Sequence, residues 1–266
     1  MTRVRAAALP LASYVLHRHD WSETSLVVEL LTRERGRVVV LAKGAKRPYS
    51  QLRGVLLPFL RLSVQLTRTA TEQSELQVLR TADWAGGPPL PPGPGLAAGF
   101  YLNELLLRLT AREDAHPALF DAYADTLTQL SDGDDPALQT ALRAFELRLL
   151  RETGLLPELC RQTLTLETLE DAGLYALHAE HGVVEARSAA EGAGLSGLLL
   201  REAEAALCEP GQADGHALRR AVRPALAAWR GQLRALLHYH LGPVPLRTRQ
   251  VMLSVQGFLS RENPTR

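Results

Sequence analysis

The sequence predicts a two-domain α+β protein: a small closed or nearly closed β-barrel, then an all-α domain that carries a small irregular or hairpin insertion. Three observations predict it. Short runs of strand length fill the first eighty residues, with no helical period among them. The stretch AGGPPLPPGPG at 85–95, with five Pro and four Gly in eleven residues, then interrupts the chain. After it the apolar spacing becomes 3.6. The expected division is a barrel domain at 1–82, a Pro/Gly-rich linker at 83–95 and a helical domain at 96–266.

The five expected strands are ASYVLHRH (12–19), SLVVELLT (25–32), RVVVLAK (37–43), LRLSVQLT (60–67) and SELQVLRT (74–81). RERG, ending in Gly36, separates the second from the third, which predicts a hairpin. In the fourth, Val64 and Leu66 alternate with Ser63, Gln65 and Thr67, which predicts one buried and one wet face. The segment 96–113 is apolar almost all round and reads as a buried helix; 116–132 is more amphipathic. A further helix opens with Asp135 as N-cap and Pro136 at its first position, buries Leu138, Leu142, Phe145 and Leu149, and ends at Gly154. Residues 159–190 are less regular, with a hairpin expected in LYALHAEHGVVEA. Two helical stretches follow, around 196–208 and 216–241, and Pro224 makes the second either a kinked helix or two helices meeting there.

The charged residues bear on partners. The whole chain has 30 Lys and Arg against 29 Asp and Glu, a formal +1, which by itself argues for no charged partner. Split by segment, residues 1–80 hold 13 cations and 6 anions, 81–200 hold 7 and 18, and 201–266 hold 10 and 5. Such asymmetry points to polyanion binding at the basic ends. The densest basic element is RVVVLAKGAKRPYSQLRG (37–54): a strand delivers Lys43, Gly44 allows a close backbone approach, and a loop carries Lys46, Arg47, Tyr49 and Arg53. Flexible cations hold phosphates and an aromatic adds base stacking. A second basic row, Arg219, Arg223, Arg230 and Arg234, falls within roughly 60° on a helical wheel. It lies beside an apolar stripe of Val222, Leu226, Trp229, Leu233, Leu236 and His240, and Arg247 and Arg249 follow in GPVPLRTR.

Other functions lack their residues. No phosphate-binding G-x-x-x-x-G-K loop, G-x-S-x-G elbow or H-E-x-x-H helix occurs, so no enzyme is expected. Two cysteines, Cys160 and Cys208, make neither a disulfide framework nor a four-cysteine zinc site. With His178 and His181 they are the best metal set, but the spacings of 18, 3 and 27 do not match paired zinc ligands, and no metal or cofactor is expected. No apolar run reaches the ~18 residues of a membrane span. Pro10 interrupts the short apolar stretch near the N-terminus, so neither membrane nor export is expected and a cytoplasmic, nucleoid-associated location is.

The stretch 14–59 resembles the N-terminal domain of the RecO family of bacterial recombination mediators and DNA-repair proteins. The resemblance rests on Tyr14–Leu16, the run Trp21-Ser22-Glu23-Thr24-Ser25, Gly36-Arg37, Lys43-Gly44-Ala45-Lys46 and Leu56-Leu57-Pro58-Phe59. It continues through YLNELLLRL (101–109), ALRAFELRLL (141–150) with Gly154, and PLRTRQ (245–250). It implies an OB-fold barrel before the helical domain. It also implies binding of single- and double-stranded DNA, annealing of complementary strands, and work beside RecR to load RecA onto SSB-coated DNA. On this reading the DNA contacts are Arg35, Arg37, Lys43, Lys46, Arg47, Tyr49, Arg53, Arg219 and Arg223. Some family members receive the acidic C-terminal tail of SSB in the helical domain, where an apolar slot beside a guanidinium suits its terminal phenylalanine carboxylate. Leu142, Arg143 and Phe145 offer that combination. Many members carry a four-cysteine zinc motif near the level of Cys160 to Val184; this chain keeps only Cys160 there, so zinc is not carried over. The competing reading is a non-catalytic adaptor whose basic barrel binds acidic proteins.

Overall fold

Alternation of small β-branched and polar residues builds five strands in the first part of the computed structural model, which describes residues 9–67, 77–132, 135–186, 194–208 and 215–251. Strand β1 (Leu11–Asp20) pairs antiparallel with β2 (Leu26–Thr32), and β2 with β3 (Gly36–Ala42). A short helix, α1 (Gln51–Val55), separates β3 from β4 (Arg61–Thr67), and β5 (Gln77–Trp84) follows. The strands close in the order β1-β2-β3-β5-β4. Four pairings are antiparallel, and β3 with β5 is parallel, with Val40 opposite Gln77. This is the closed barrel expected from the strand count, and it is OB-like, as the family resemblance implies.

One face of each strand fills the barrel. Val15, Val28, Leu30, Val38, Val40, Leu62, Val64 and Leu79 form its core, and along β3 every second residue is buried. Thr67 is exposed, as the wet face of β4 requires, while Ser63 and Gln65 are half-buried. Two local features differ from the sequence reading. The segment after Ser50 is a turn and a half of helix rather than loop, because Leu52 and Val55 pack against the barrel core. Strand β5 runs three residues past its expected end, to Trp84, paired with β4 up to Leu62; residues 74–76 of the expected strand lie outside the described ones.

The chain divides into two compact units, one of Met1–Leu90 with Thr110–Phe120, the other of Pro91–Leu109 with Asp121–Arg266. In the first unit the segment after Thr110 docks on β3. Arg37 and Arg112 form an isolated bridge, the Glu113 amide donates to the Arg37 carbonyl at 2.9 Å, and Phe120 packs on Tyr14 with ring centroids 5.3 Å apart. Gly36, at φ +67°, is needed there twice: for its backbone conformation, and because a Cβ would overlap the Asp114 carbonyl.

The second unit contains α2 (Gly93–Leu109), α3 from Asp121 onward (α3 is Pro117–Asp132), α4 (Asp135–Glu152), a sheet, and the last helices. Helix α2 begins inside the Pro/Gly-rich stretch. Pro94 sits in the first turn, where its missing N–H costs nothing, and a Cβ at Gly95 would stand 2.4 Å from the Leu130 carbonyl oxygen of α3. Helix α4 is buried on nearly every side, with Leu138, Leu142, Phe145 and Leu149 among its core residues. The expected hairpin is β6 (Leu174–His178) with β7 (Gly182–Glu185), extended by β8 (Leu195–Ser196) in the order β7-β6-β8. After α5 (Gly197–Cys208), Pro224 resolves as a junction: α6 (His216–Val222) and α7 (Leu226–Leu241) meet through a 3₁₀ turn at Arg223–Ala225. Trp229, Leu233 and Leu236 of α7 are buried, and its Gln232 accepts the Leu177 amide of β6 at 2.8 Å.

Candidate nucleic-acid interface

The antiparallel meander β1-β2-β3 brings the β1–β2 loop (21–25) and the loop after β3 (43–50) to the same end of the barrel. Direct bonds join them. The Lys46 amide donates to the Thr24 carbonyl at 2.9 Å, and the Gly44 amide to the Ser25 hydroxyl at 3.4 Å. The Lys46 ammonium donates to the Ser22 carbonyl at 3.1 Å and pairs with Asp20 at 3.1 Å. Gly44 takes φ +70°, which lets the chain turn out of β3 and present its amide.

This end collects cations and one fully exposed ring. Lys43, Arg47 and Arg53 are exposed, and among the described residues none is paired with a carboxylate. Tyr49 is 100% exposed. Arg18, also exposed, reaches from β1 to donate to the Leu56 carbonyl at 3.1 Å. At low effective screening such a group of cations attracts phosphates and releases their counterions. Arg18 and the exposed Trp21 were not named as contacts from the sequence. A tryptophan in the polar turn WSETS is the signal that could have found it, since a turn of Ser, Glu and Thr gives an indole no core to fill.

Arg35 and Arg37 belong to a different group. Arg37 donates to Glu29 at 3.1 Å and to the Thr110 carbonyl at 2.9 Å, and Arg112 also pairs with Glu29, at 3.0 Å. Arg35 donates to Gln77 at 2.9 Å and pairs with Glu113 at 2.5 Å. Three guanidiniums thus share two carboxylates and hold the 110–115 segment on the barrel.

On the second unit, Arg219 pairs with Asp125. Arg223, Arg230 and Arg234 are exposed along the 3₁₀ turn and α7. Leu142 and Phe145 are buried, and Phe145 packs edge-on against Tyr123, with centroids 6.2 Å apart. Arg143 is buried too. Its guanidinium pairs with Glu146 at 2.7 Å, Tyr101 donates to the same carboxylate at 2.7 Å, and Arg143 Nε and Glu146 Oε2 have no partner among the described residues. Burial pushes the Glu146 carboxyl above its ordinary value, and Arg143 and the Tyr101 hydroxyl oppose that shift. Burial, then the adjacent Glu146, raises the Tyr101 phenol well above its usual range.

The four residues of the sequence's metal set do not form a coordination group; among the described residues no three or more His, Cys, Asp or Glu do. The Cys160 thiol donates to Glu158 and the Cys208 thiol to Glu204. The bond to Glu158 and then burial raise Cys160; burial and then Glu204 raise Cys208. Both are thereby held as thiols. No helix of the described residues is long and apolar enough to cross a membrane.

Comparison with known proteins agrees with this architecture. The family model for the recombination protein O N terminal matches residues 11–87, and that for the recombination protein O C terminal matches 94–250. The DNA repair protein RecO of Polaromonas sp. is 46% identical over 245 residues, covering 92% of this chain and 96% of its own. Those of Acidovorax ebreus and Variovorax paradoxus are each 48% identical, over 251 and 253 residues, covering 92% of this chain and 95% of theirs. With both family models matched in order across the barrel and the helical unit, the chain belongs to the RecO family of DNA repair proteins.

Proposed function

We propose that this protein is a non-catalytic recombination mediator: it binds single- and double-stranded DNA, anneals complementary strands, and helps RecA load onto SSB-coated DNA beside RecR. The observation that carries the reading is the loop end of the barrel, where Lys43, Arg47 and Arg53 stand exposed and unpaired among the described residues, beside Tyr49. Lys46 takes part while tying the two loops together. Arg35 and Arg37 act through the field, since their cluster with Arg112 keeps one positive charge in excess over Glu29 and Glu113. Arg223, followed by Arg230 and Arg234, supplies a second contact, and Arg219 supports it from its pair with Asp125. Two strands drawn to one basic protein repel each other less and meet at higher local concentration, which accelerates annealing.

The SSB tail is proposed to reach α4, where Arg143 Nε is unpartnered among the described residues and Leu142 and Phe145 supply apolar surface. All three are buried, so reception of the tail requires this region to open. The test is annealing of complementary strands coated with SSB, with and without its acidic tail. The protein accelerates annealing, and loss of the tail slows it. Charge reversal of Lys43, Lys46 and Arg47 abolishes both binding and annealing while the fold persists. An adaptor for acidic proteins accelerates nothing, and that result, or wild-type annealing by the triple variant, excludes the reading.

A further inference from the structure

Trp21 is 64% exposed, at the first position of the β1–β2 loop. Single exposed aromatics are ordinary, so exposure alone assigns it nothing; its mounting does. The Trp21 and Ser22 amides both donate to the Ser25 carbonyl, at 3.1 and 3.3 Å, and the Ser25 amide donates to the Ser22 hydroxyl at 3.2 Å. The loop is therefore a closed hydrogen-bonded turn, and the indole leaves the barrel from a backbone that has little freedom to fold it back. The same turn is the one to which Lys46 is bound, by its ammonium through Ser22 and by its amide through Thr24, so the ring stands on the loop pair that carries Lys43, Arg47 and Tyr49. Trp84, equally exposed, lies instead within β5 opposite Leu62, with no described bond to those loops.

We infer that Trp21 is a stacking platform for unpaired bases of single-stranded DNA, set beside the cations that hold the backbone. This rests on the DNA-binding reading and adds to it a base-dependent contact and a reason to favour single strands. A base has an exposed π-face only when it is unpaired, so the indole contributes to binding of single strands and not of the duplex. The contact is sequence-tolerant, since every base presents such a face. The cations, in contrast, respond to phosphate charge in either form.

The experiment uses the full-length chain with Trp84→Phe, which leaves Trp21 as the exposed tryptophan beside the fully buried Trp229. Binding is measured by anisotropy to an oligothymidylate and to an abasic oligonucleotide of the same length and charge. The parent binds the oligothymidylate roughly 5- to 150-fold more tightly than the abasic strand, with quenching of indole fluorescence. Trp21→Ala loses most of that preference, Tyr49 keeping the remainder, while its affinity for the abasic strand stays at the parent's. Trp21→Phe restores most of the preference and Trp21→Leu does not. A Trp21→Ala variant that keeps the preference, or loses affinity equally for both strands, overturns the inference; so does unquenched fluorescence at saturation. If the parent binds neither strand at low salt, the DNA-binding reading itself fails and the platform fails with it.

Discussion

Arg143 and Glu146 stand three residues apart on α4, a spacing that on an exposed helix makes an ordinary weak ion pair. Here both are buried, which reverses the energetics: each charge costs more to desolvate than a surface pair returns, and each relies on the other. The raised Glu146 carboxyl has a definite sign. The unfolded chain releases this proton near pH 4.5, the folded chain only at a higher pH. The group's stabilising contribution is therefore complete below about pH 4.5 and declines as pH rises through the raised value. Removing the guanidinium raises that value further. Arg143→Ala should destabilise the protein by about 3–5 kcal/mol at pH 8, and by clearly less at pH 5, where Glu146 is protonated more easily. Thermal unfolding at the two pH values checks this, and an equal loss at both contradicts it. The same melts are the control for any loss of SSB-tail binding in this variant, which is to be measured where the protein is still folded.

Among the elements, the final helical segment at 247–251 depends on a residue from far along the chain. Glu104 of α2 accepts the Arg247 and Thr248 amides at 2.8 and 2.9 Å and the Thr248 hydroxyl at 2.7 Å. It is an N-cap supplied from another helix. Burial alone would raise its carboxyl, but those hydrogen bonds and Arg108 lower it, so its stabilising contribution is present above about pH 4.5 and is lost as pH falls through the depressed value. Glu104→Ala should cost about 1 kcal/mol and speed tryptic cleavage after Arg247 and Arg249, with the barrel still protected; unchanged cleavage removes the cap from the account. Contacts like this mark the limit of what could be read from sequence. The strands were legible because alternation is local, and the helices because 3.6-residue spacing is local. Short α1 was not, since a turn and a half is too short to show a period and is stabilised by packing of Leu52 and Val55. Nor were the partners of Arg35, Arg37 and Arg143, because a cation's letter does not say which carboxylate the fold brings to it. The loop with Lys43, Arg47 and Tyr49 was legible as a basic element because its charges are close together in sequence, and the WSETS turn it binds was read only as a family feature although its tryptophan among Ser, Glu and Thr is a signal of its own.

Across the whole molecule a formal charge of +1 conceals segregated basic and acidic segments, and the structure further sorts the basic ones into spent and available charge. Arg37 shares Glu29 with Arg112, whereas Lys43, Arg47 and Arg53 face solvent without a carboxylate among the described residues. Only available cations displace counterions from a strand, and each phosphate neutralised contributes about −0.7 to the slope of log K against log salt for single strands. Neutralising Lys43, Arg47 and Arg53 together by Gln should therefore flatten that slope by about 2 on an oligothymidylate, without lowering the melting temperature, because none of the three holds the fold together. Arg37→Gln removes a charge already engaged by Glu29 and the Thr110 carbonyl. It should lower the melting temperature and change the slope by less, per charge, than the loop variant does. An Arg37→Gln slope change equal to one third of the triple variant's would show that the ion-paired cluster and the loop contact phosphate alike, and would move the interface from the loop end to the whole barrel face.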